Sequence, residues 1–184
     1  MEGEQIRLRD FRLADLDRYE AYLAPEQEWR RWDGPYRPAG DAAWIRKHME
    51  GVRQRVERGD LDQPRSRQVI ASKESDLLLG TVSRYWISEE THWLAIGIGI
   101  YDPAWWGKGI GFEALTLWCD YLFDAMPEIV RIDMRTWSGN VRMVRLAQRL
   151  GFKEEARFRK ARIVRGEYYD GLGFGVLRAE WEAR

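Results

Sequence analysis

One cysteine, two histidines and five lysines in 184 residues leave several chemistries short of material. Cys119 alone cannot close an internal disulfide, and two histidines add little toward a His/Cys metal site, so no metal is expected. No apolar run approaches the ~18 residues of a membrane helix. Met1–Asp10 carries no hydrophobic stretch of the secretory kind. The expectation is a cytoplasmic protein with no membrane partner. Neither sign of charge is in excess, because 30 Lys and Arg balance 30 Asp and Glu, at a sequence pI of about 6.8. Phosphate-backbone binding needs a basic excess, so no nucleic-acid partner is expected. Arginine and tryptophan are abundant instead, with 25 Arg among the 30 basic residues and ten Trp. The length suits one domain, 1–184, large enough to bury roughly 70% of its unfolded surface.

Hydrophobic periodicity divides the chain into alternating elements. Ile6 and Leu8 alternate with Arg7 and Arg9, which predicts a strand over Gln5–Phe11. Leu13, Leu16 and Leu23 recur at helical spacing until Pro25 interrupts them. Glu26–Gly40 is irregular and aromatic, with Trp29, Trp32, Pro35 and Tyr36. Asp41 can cap a helix that runs to Arg58 and stops at Gly59. Three strands follow, at Gln68–Lys73, Leu77–Ile87 and Thr91–Tyr101. Gly109–Met126 carries Leu115, Trp118, Leu122 and Met126 along one stripe, which predicts a helix packed on a sheet. A strand at Ile129–Trp137, a helix at Asn140–Leu150 and a strand pair, Phe152–Val164 and Glu167–Leu177, complete the chain. This order predicts an α/β fold with a mixed sheet flanked by helices.

The most informative stretch is Ile96–Glu113, IGIGIYDPAWWGKGIGFE. A strand runs into Asp102-Pro103, then a loop with Gly107, Gly109 and Gly111, then a helix. Glycines at alternate positions let backbone approach a ligand closely. Their N–H groups and the positive helix end suit an anion, and Lys108 adds a point charge. A plain strand-to-helix turn fits the same glycines. A Walker A loop is excluded, because its first Gly position holds Asp102 and Gly109 follows Lys108. A dinucleotide fingerprint is excluded too, because Gly97-Ile98-Gly99 lacks a third glycine at residue 102.

Trp106–Gly111, WGKGIG, resembles the pyrophosphate loop of the GCN5-related N-acetyltransferases (GNAT), whose pattern is Q/R-x-x-G-x-G/A. Trp in place of the usual Gln or Arg resembles the branch of the ribosomal-protein N-acetyltransferases. Trp137–Phe152 is similar to the family's second motif, with Asn140 and the Leu150-Gly151-Phe152 ending in register. Gly166–Trp181 resembles the closing hairpin of that branch. The likeness implies a central, mostly antiparallel sheet flanked by helices, and acetyl-CoA as co-substrate. It implies an N-acetyltransferase that moves an acetyl group to a primary amine by direct attack. The acceptor would be a protein N-terminal α-amine, a polyamine or a small amino metabolite, and a homodimer is the usual expectation. It further implies that the N–H groups of Gly107, Lys108, Gly109, Ile110 and Gly111 hold the pyrophosphate. Trp106 would bind the donor beside that loop, Tyr101 would touch pantetheine, and the Gly99 N–H would face the thioester carbonyl. Asn140 would contact CoA from its helix start, where an ordinary N-cap is the competing reading.

The acid and base depart from the family pattern. The position of the usual Tyr holds Ala147, and that of the branch's Ser holds Met143, so no acid is assigned. Their absence supports an alternative, a non-catalytic acyl-CoA sensor or partner subunit. Tyr101, Tyr168 and Tyr169 are the remaining hydroxyls. For the base, Asp33 sits in WRRWDGPY, where aromatics could exclude water and raise a carboxyl pKa. Glu89, Glu90 and His92 are further candidates. The aromatic cluster around Trp32 could hold a cationic amine or form a satellite core. Trp86, Trp93 and Trp105 could line a tunnel for a longer acyl donor. Arg142, Arg145 and Arg149 read as a solvated helix face or as phosphate contacts.

Overall fold

The computed structural model describes residues 1–38 and 40–184. Seven strands form one sheet: β1 (Ile6–Arg9), β2 (Arg67–Ser72), β3 (Leu78–Ser88), β4 (Trp93–Ile100), β5 (Arg131–Trp137), β6 (Lys153–Val164) and β7 (Glu167–Leu177). Their spatial order is β1-β2-β3-β4-β5-β7-β6. Every neighbouring pair is antiparallel except β4 and β5, which run parallel. A parallel pair needs a long crossover, and helix α3 (Ile110–Ala125) supplies it.

Each face of the sheet buries its own cluster. On one face α3 sinks Leu115, Trp118, Cys119 and Leu122 against Ile96, Ile132 and Met134. On the other, α1 (Leu16–Tyr22) and α2 (Ala42–Arg58) cover Val69, Ala71 and Leu78 with Leu16, Tyr19, Met49 and Val52. The Asp41 carboxylate accepts the Trp44 N–H at 2.7 Å and starts α2, and left-handed Gly59 ends it. The helix expected from Leu13 begins as a 3-10 turn, Leu13–Asp15, before α1. The alternation missed helix α5 (Arg178–Glu182), too short to show a helical period. It is pinned by Trp181 against Phe123 and Phe152, and by the Arg178 guanidinium donating to the carbonyls of Phe123, Met126 and Ile129.

Arg9 grips Asp15 with two N–H···O bonds of 2.6 and 2.8 Å, and the side chains are only 10% and 6% exposed. Asp15 also accepts the Arg12 backbone N–H at 2.8 Å. Stranding a buried charge costs about 3–5 kcal/mol. Arg9 keeps its 3.1 Å bond to Asp76, however, so loss of Asp15 costs about 1.5–3 kcal/mol, the range of hydrogen bonds to a charged group. Asp15→Ala is therefore expected to lower the urea midpoint by that equivalent with an unchanged slope, as equilibrium unfolding would read.

Candidate active site

β4 and β5 are paired only over Leu94–Ile96 and Ile132–Met134, and beyond these residues they part. β3 stays paired with β4 as far as Ile100. A cavity of about 540 Å³ occupies the gap between the parted strands. Ile96–Ile100 form one wall, the Gly-rich loop and α3 a second, and helix α4 (Val141–Arg149) a third. Trp29, Trp32 and Asp33 wall the end nearest α1.

The glycine loop is built for close approach. Asp102 accepts the Ala104 N–H at 2.9 Å and Pro103 starts a 3-10 turn, so the chain leaves β4 sharply. Gly107 and Gly109 then take φ of 74° and 85°, left-handed values that disfavour any side chain. Gly109 caps α3, whose first turn (Ile110, Gly111 and Phe112) lines the cavity and offers unsatisfied N–H groups at the positive helix end. A Cβ on Gly111 would lie 3.2 Å from Leu146, so glycine there lets α4 pack close. Trp106 donates its indole N–H to the Ile100 carbonyl at 2.9 Å and tethers the loop to the end of β4. Lys108 stands apart from the cavity wall. Its ammonium lies 5.1 Å from the Trp105 ring, and its carbonyl accepts from the Gln5 amide at 3.3 Å.

Two expectations on β4 are corrected by its ladder. The Tyr101 N–H donates to the Leu79 carbonyl at 2.9 Å. Antiparallel bonding repeats every two residues, so Gly99, opposite Thr81, also spends its N–H on β3. The Gly99 N–H cannot face a ligand in the gap; the Ile98 and Ile100 N–H groups face it instead. Gly99 contributes differently: a Cβ there would lie 2.9 Å from the Tyr101 ring, so its missing side chain makes room for that ring. Tyr101 makes no cavity contact. It is 5% exposed, its hydroxyl shares a 2.7 Å hydrogen bond with Thr81, and Tyr19, Tyr22 and Trp29 surround its ring. Enclosed away from the cavity, it cannot reach the departing thiolate, and burial also pushes its phenol pKa up.

Asn140 lines the cavity with both ends of its amide engaged. Its oxygen accepts the Met143 N–H at 3.1 Å, the N-cap bond of α4, and its NH₂ donates to the Trp32 carbonyl at 3.1 Å. The Trp137 indole donates to that same carbonyl at 2.8 Å. Asn140 thus fastens the Trp32 loop to the start of α4. Arg142, Arg145 and Arg149 all line the cavity from the solvent-exposed face of α4. Arg142 is held between the rings of Trp32 and Trp106, at 4.7 and 4.6 Å, and Arg149 lies 4.3 Å from Phe112.

Asp33 is the one carboxylate among the described residues of the wall. Its surface opens to the cavity, yet the protein crowded around the mouth desolvates the carboxyl and raises its pKa, while Arg37 and Arg30 oppose the rise. The rival bases Glu89, Glu90 and His92 occupy the β3–β4 turn, at the end of β4 away from the cavity. Of Trp86, Trp93 and Trp105 only Trp105 reaches the wall, so no tunnel of the three exists. Trp93 instead donates to Asp133 at 2.9 Å. Cys119 is fully buried and burial raises its thiol pKa, as a core residue requires. Sequence reasoning missed Arg135 and Thr136 of β5, which reach the cavity because the sheet parts beside them.

The sequence profile of the acetyltransferase (GNAT) domain matches residues 5–153. The SPbeta prophage-derived uncharacterized N-acetyltransferase YokL of Bacillus subtilis (strain 168) is 22% identical over 180 residues, which cover 98% of this chain and 94% of that protein. Two solved structures share the fold. Spermidine N-acetyltransferase from Vibrio cholerae, in complex with CoA and spermine, superposes with a TM-score of 0.76 at 18% identity, covering 98% of this chain and 99% of that one. Ribosomal-protein-S5-alanine acetyltransferase from Vibrio fischeri gives a TM-score of 0.76 at 22% identity, covering 98% and 97%.

Proposed function

Because the chain belongs to the acetyltransferase (GNAT) family and is an acetyl-CoA-dependent acyltransferase, we propose that the gap between β4 and β5 is the donor site and that a primary amine attacks the bound thioester directly. The observation that carries this reading is the parting of the two strands beside two left-handed glycines at the start of α3. A side chain at Gly107 or Gly109 would stand where a phosphate must approach backbone. The loop N–H groups from Gly107 through Gly111 would hold the pyrophosphate, with Trp106 fixing the loop. Arg145 and Arg149 would neutralise further phosphate charge.

The free N–H of Ile98 is the donor best directed at the thioester carbonyl oxygen as negative charge develops there. An ammonium must first lose a proton. For a lysine ε-amine this costs roughly 4–5 kcal/mol at pH 7, and for an α-amine about 1 kcal/mol. Asp33, with its raised pKa, is suited to receive that proton. The amine nitrogen then bonds to the carbonyl carbon, the carbon–sulfur bond breaks, and the second proton shed by the nitrogen passes through water to the thiolate. A thiol pKa of ~8.5 makes the thiolate a good leaving group, so Ala147 and Met143 in place of the usual acids do not block transfer.

Asn140 acts through the Trp32 carbonyl, as a positioning residue. Asn140→Ala is expected to cost about 1 kcal/mol of stability as a lost N-cap. It should raise KM for the amine severalfold with a smaller change in acetyl-CoA affinity, because the loosened loop walls the acceptor end. Calorimetry and steady-state kinetics would check both. The reading itself is tested by free-thiol release from acetyl-CoA across a panel of primary amines. Amine-dependent release with formation of the N-acetyl product is expected; release that ignores the amine would contradict it.

A further inference from the structure

The charges at the acceptor end of the cavity indicate what sort of amine enters. Ile132 and Met134 face α3, so alternation along β5 turns Arg135 to the opposite face of the sheet. That is the face occupied by Tyr101, whose ring lies against Gly99. Arg135 lines the cavity together with Gly97 and Gly99. Among the described residues no carboxylate lies within 4.0 Å of its guanidinium, whereas neighbouring Arg131 is paired with Asp133 at 2.6 Å. Trp32, in the same wall, holds a second unspent donor, a buried indole N–H with no hydrogen-bond partner.

The surrounding charges reinforce the bias. Asp33 feels Arg37 and Arg30, and Arg162 covers Tyr36 at 4.7 Å where the loop meets β6. One carboxylate thus sits among several arginines. Asp33 suffices for a single ammonium group, but a polyamine would bring further positive charges against those guanidiniums.

Building on the acetyl-transfer reading, we propose that the acceptor is a small amine that carries its own carboxylate, with Arg135 binding that carboxylate and Asp33 receiving the ammonium proton. Arg is fitted to this task, since its planar fork takes both carboxylate oxygens at once. The amine nitrogen bonds to the acetyl carbon, the thiolate departs and takes, through water, the second proton shed by the nitrogen, and the carboxylate is unchanged. Arg135 is thus a specificity residue of the same site.

The test compares free amino acids and dipeptides with their methyl esters, and with spermidine, by thiol release from acetyl-CoA. Each ester keeps the amine and loses the negative charge. The acids are expected to exceed their esters at least tenfold in kcat/KM, and spermidine by more. Arg135→Gln is expected to bring the acid-to-ester ratio toward one, with Arg135→Lys restoring part of it. Equal rates for acid and ester, a preference for spermidine, or a ratio unmoved in Arg135→Gln would each overturn the acceptor assignment while leaving acetyl transfer standing. Absence of turnover with every amine, in protein that binds acetyl-CoA, would overturn acetyl transfer as well.

Discussion

Gly109→Glu is expected to weaken acetyl-CoA binding at least 100-fold, about 3 kcal/mol. Three effects act in the same direction. Gly109 sits at φ 85°, where any side chain is strained, at roughly 1–2 kcal/mol. A Cβ there meets little protein, its nearest neighbour being the Gln5 amide nitrogen at 3.8 Å, so the new chain can extend toward the ligand rather than disrupt the core. The carboxylate then occupies the start of α3, where the helix end and the loop N–H groups favour an anion, and competes with the pyrophosphate. Titration calorimetry reads the loss, and thermal unfolding of the same variant separates it from a folding defect. Unchanged affinity in a folded variant would contradict the placement of the pyrophosphate on this loop.

Asp33→Asn is expected to lower kcat/KM at pH 7 by 10²- to 10⁴-fold, the usual range for a positioned general base. The pH dependence makes this specific. Desolvation raises the Asp33 pKa above the ordinary carboxylate range. The ionised base is therefore lost at a higher pH than a solvated Asp would allow, and the wild-type rate should climb with pH through that raised value. In Asp33→Asn that limb should vanish, and the deficit should shrink once pH passes the pKa of the amine, where no base is needed. Stability moves the other way. A carboxyl whose pKa is higher folded than unfolded favours the fold most below its unfolded pKa, and that contribution is lost as pH rises through the folded value. At neutral pH the charged Asp33 is held at some expense, so Asp33→Asn should melt slightly higher than wild type. A proportional loss at every pH would assign Asp33 to loop structure instead of proton transfer.

How far the site can be read from the sequence differs residue by residue. The glycine loop was legible because left-handed turns and a helix start demand particular residues, and Gly107 and Gly109 take those conformations. On β4 the Gly99 N–H was expected to face the gap and faces β3 instead. Period-2 alternation separates the two faces of a strand, but which edge of β4 binds β3 is set by the register, here through Tyr101 against Leu79. Tyr101 failed for a related reason. Its position suited a ligand wall, but the packing of α1 encloses it with Tyr19, Tyr22 and Trp29. On α4 the spacing of Arg142, Arg145 and Arg149 placed them on one helix face. Only the parting of β4 from β5 puts a cavity beside that face. Arg135 carried no local signal, because it lies in an ordinary strand whose neighbour happens to diverge. α5 was missed through its brevity, and its anchoring depends on Trp181 and Arg178 reaching residues more than 45 positions away.

Titration of the purified protein with acetyl-CoA by calorimetry is the most direct measurement of whether the gap between β4 and β5 is a donor site. A dissociation constant in the micromolar range, near −8 kcal/mol, with one donor bound per chain and lost in Gly109→Glu, is the result predicted. No binding heat across several temperatures, or binding that Gly109→Glu leaves intact, would contradict it.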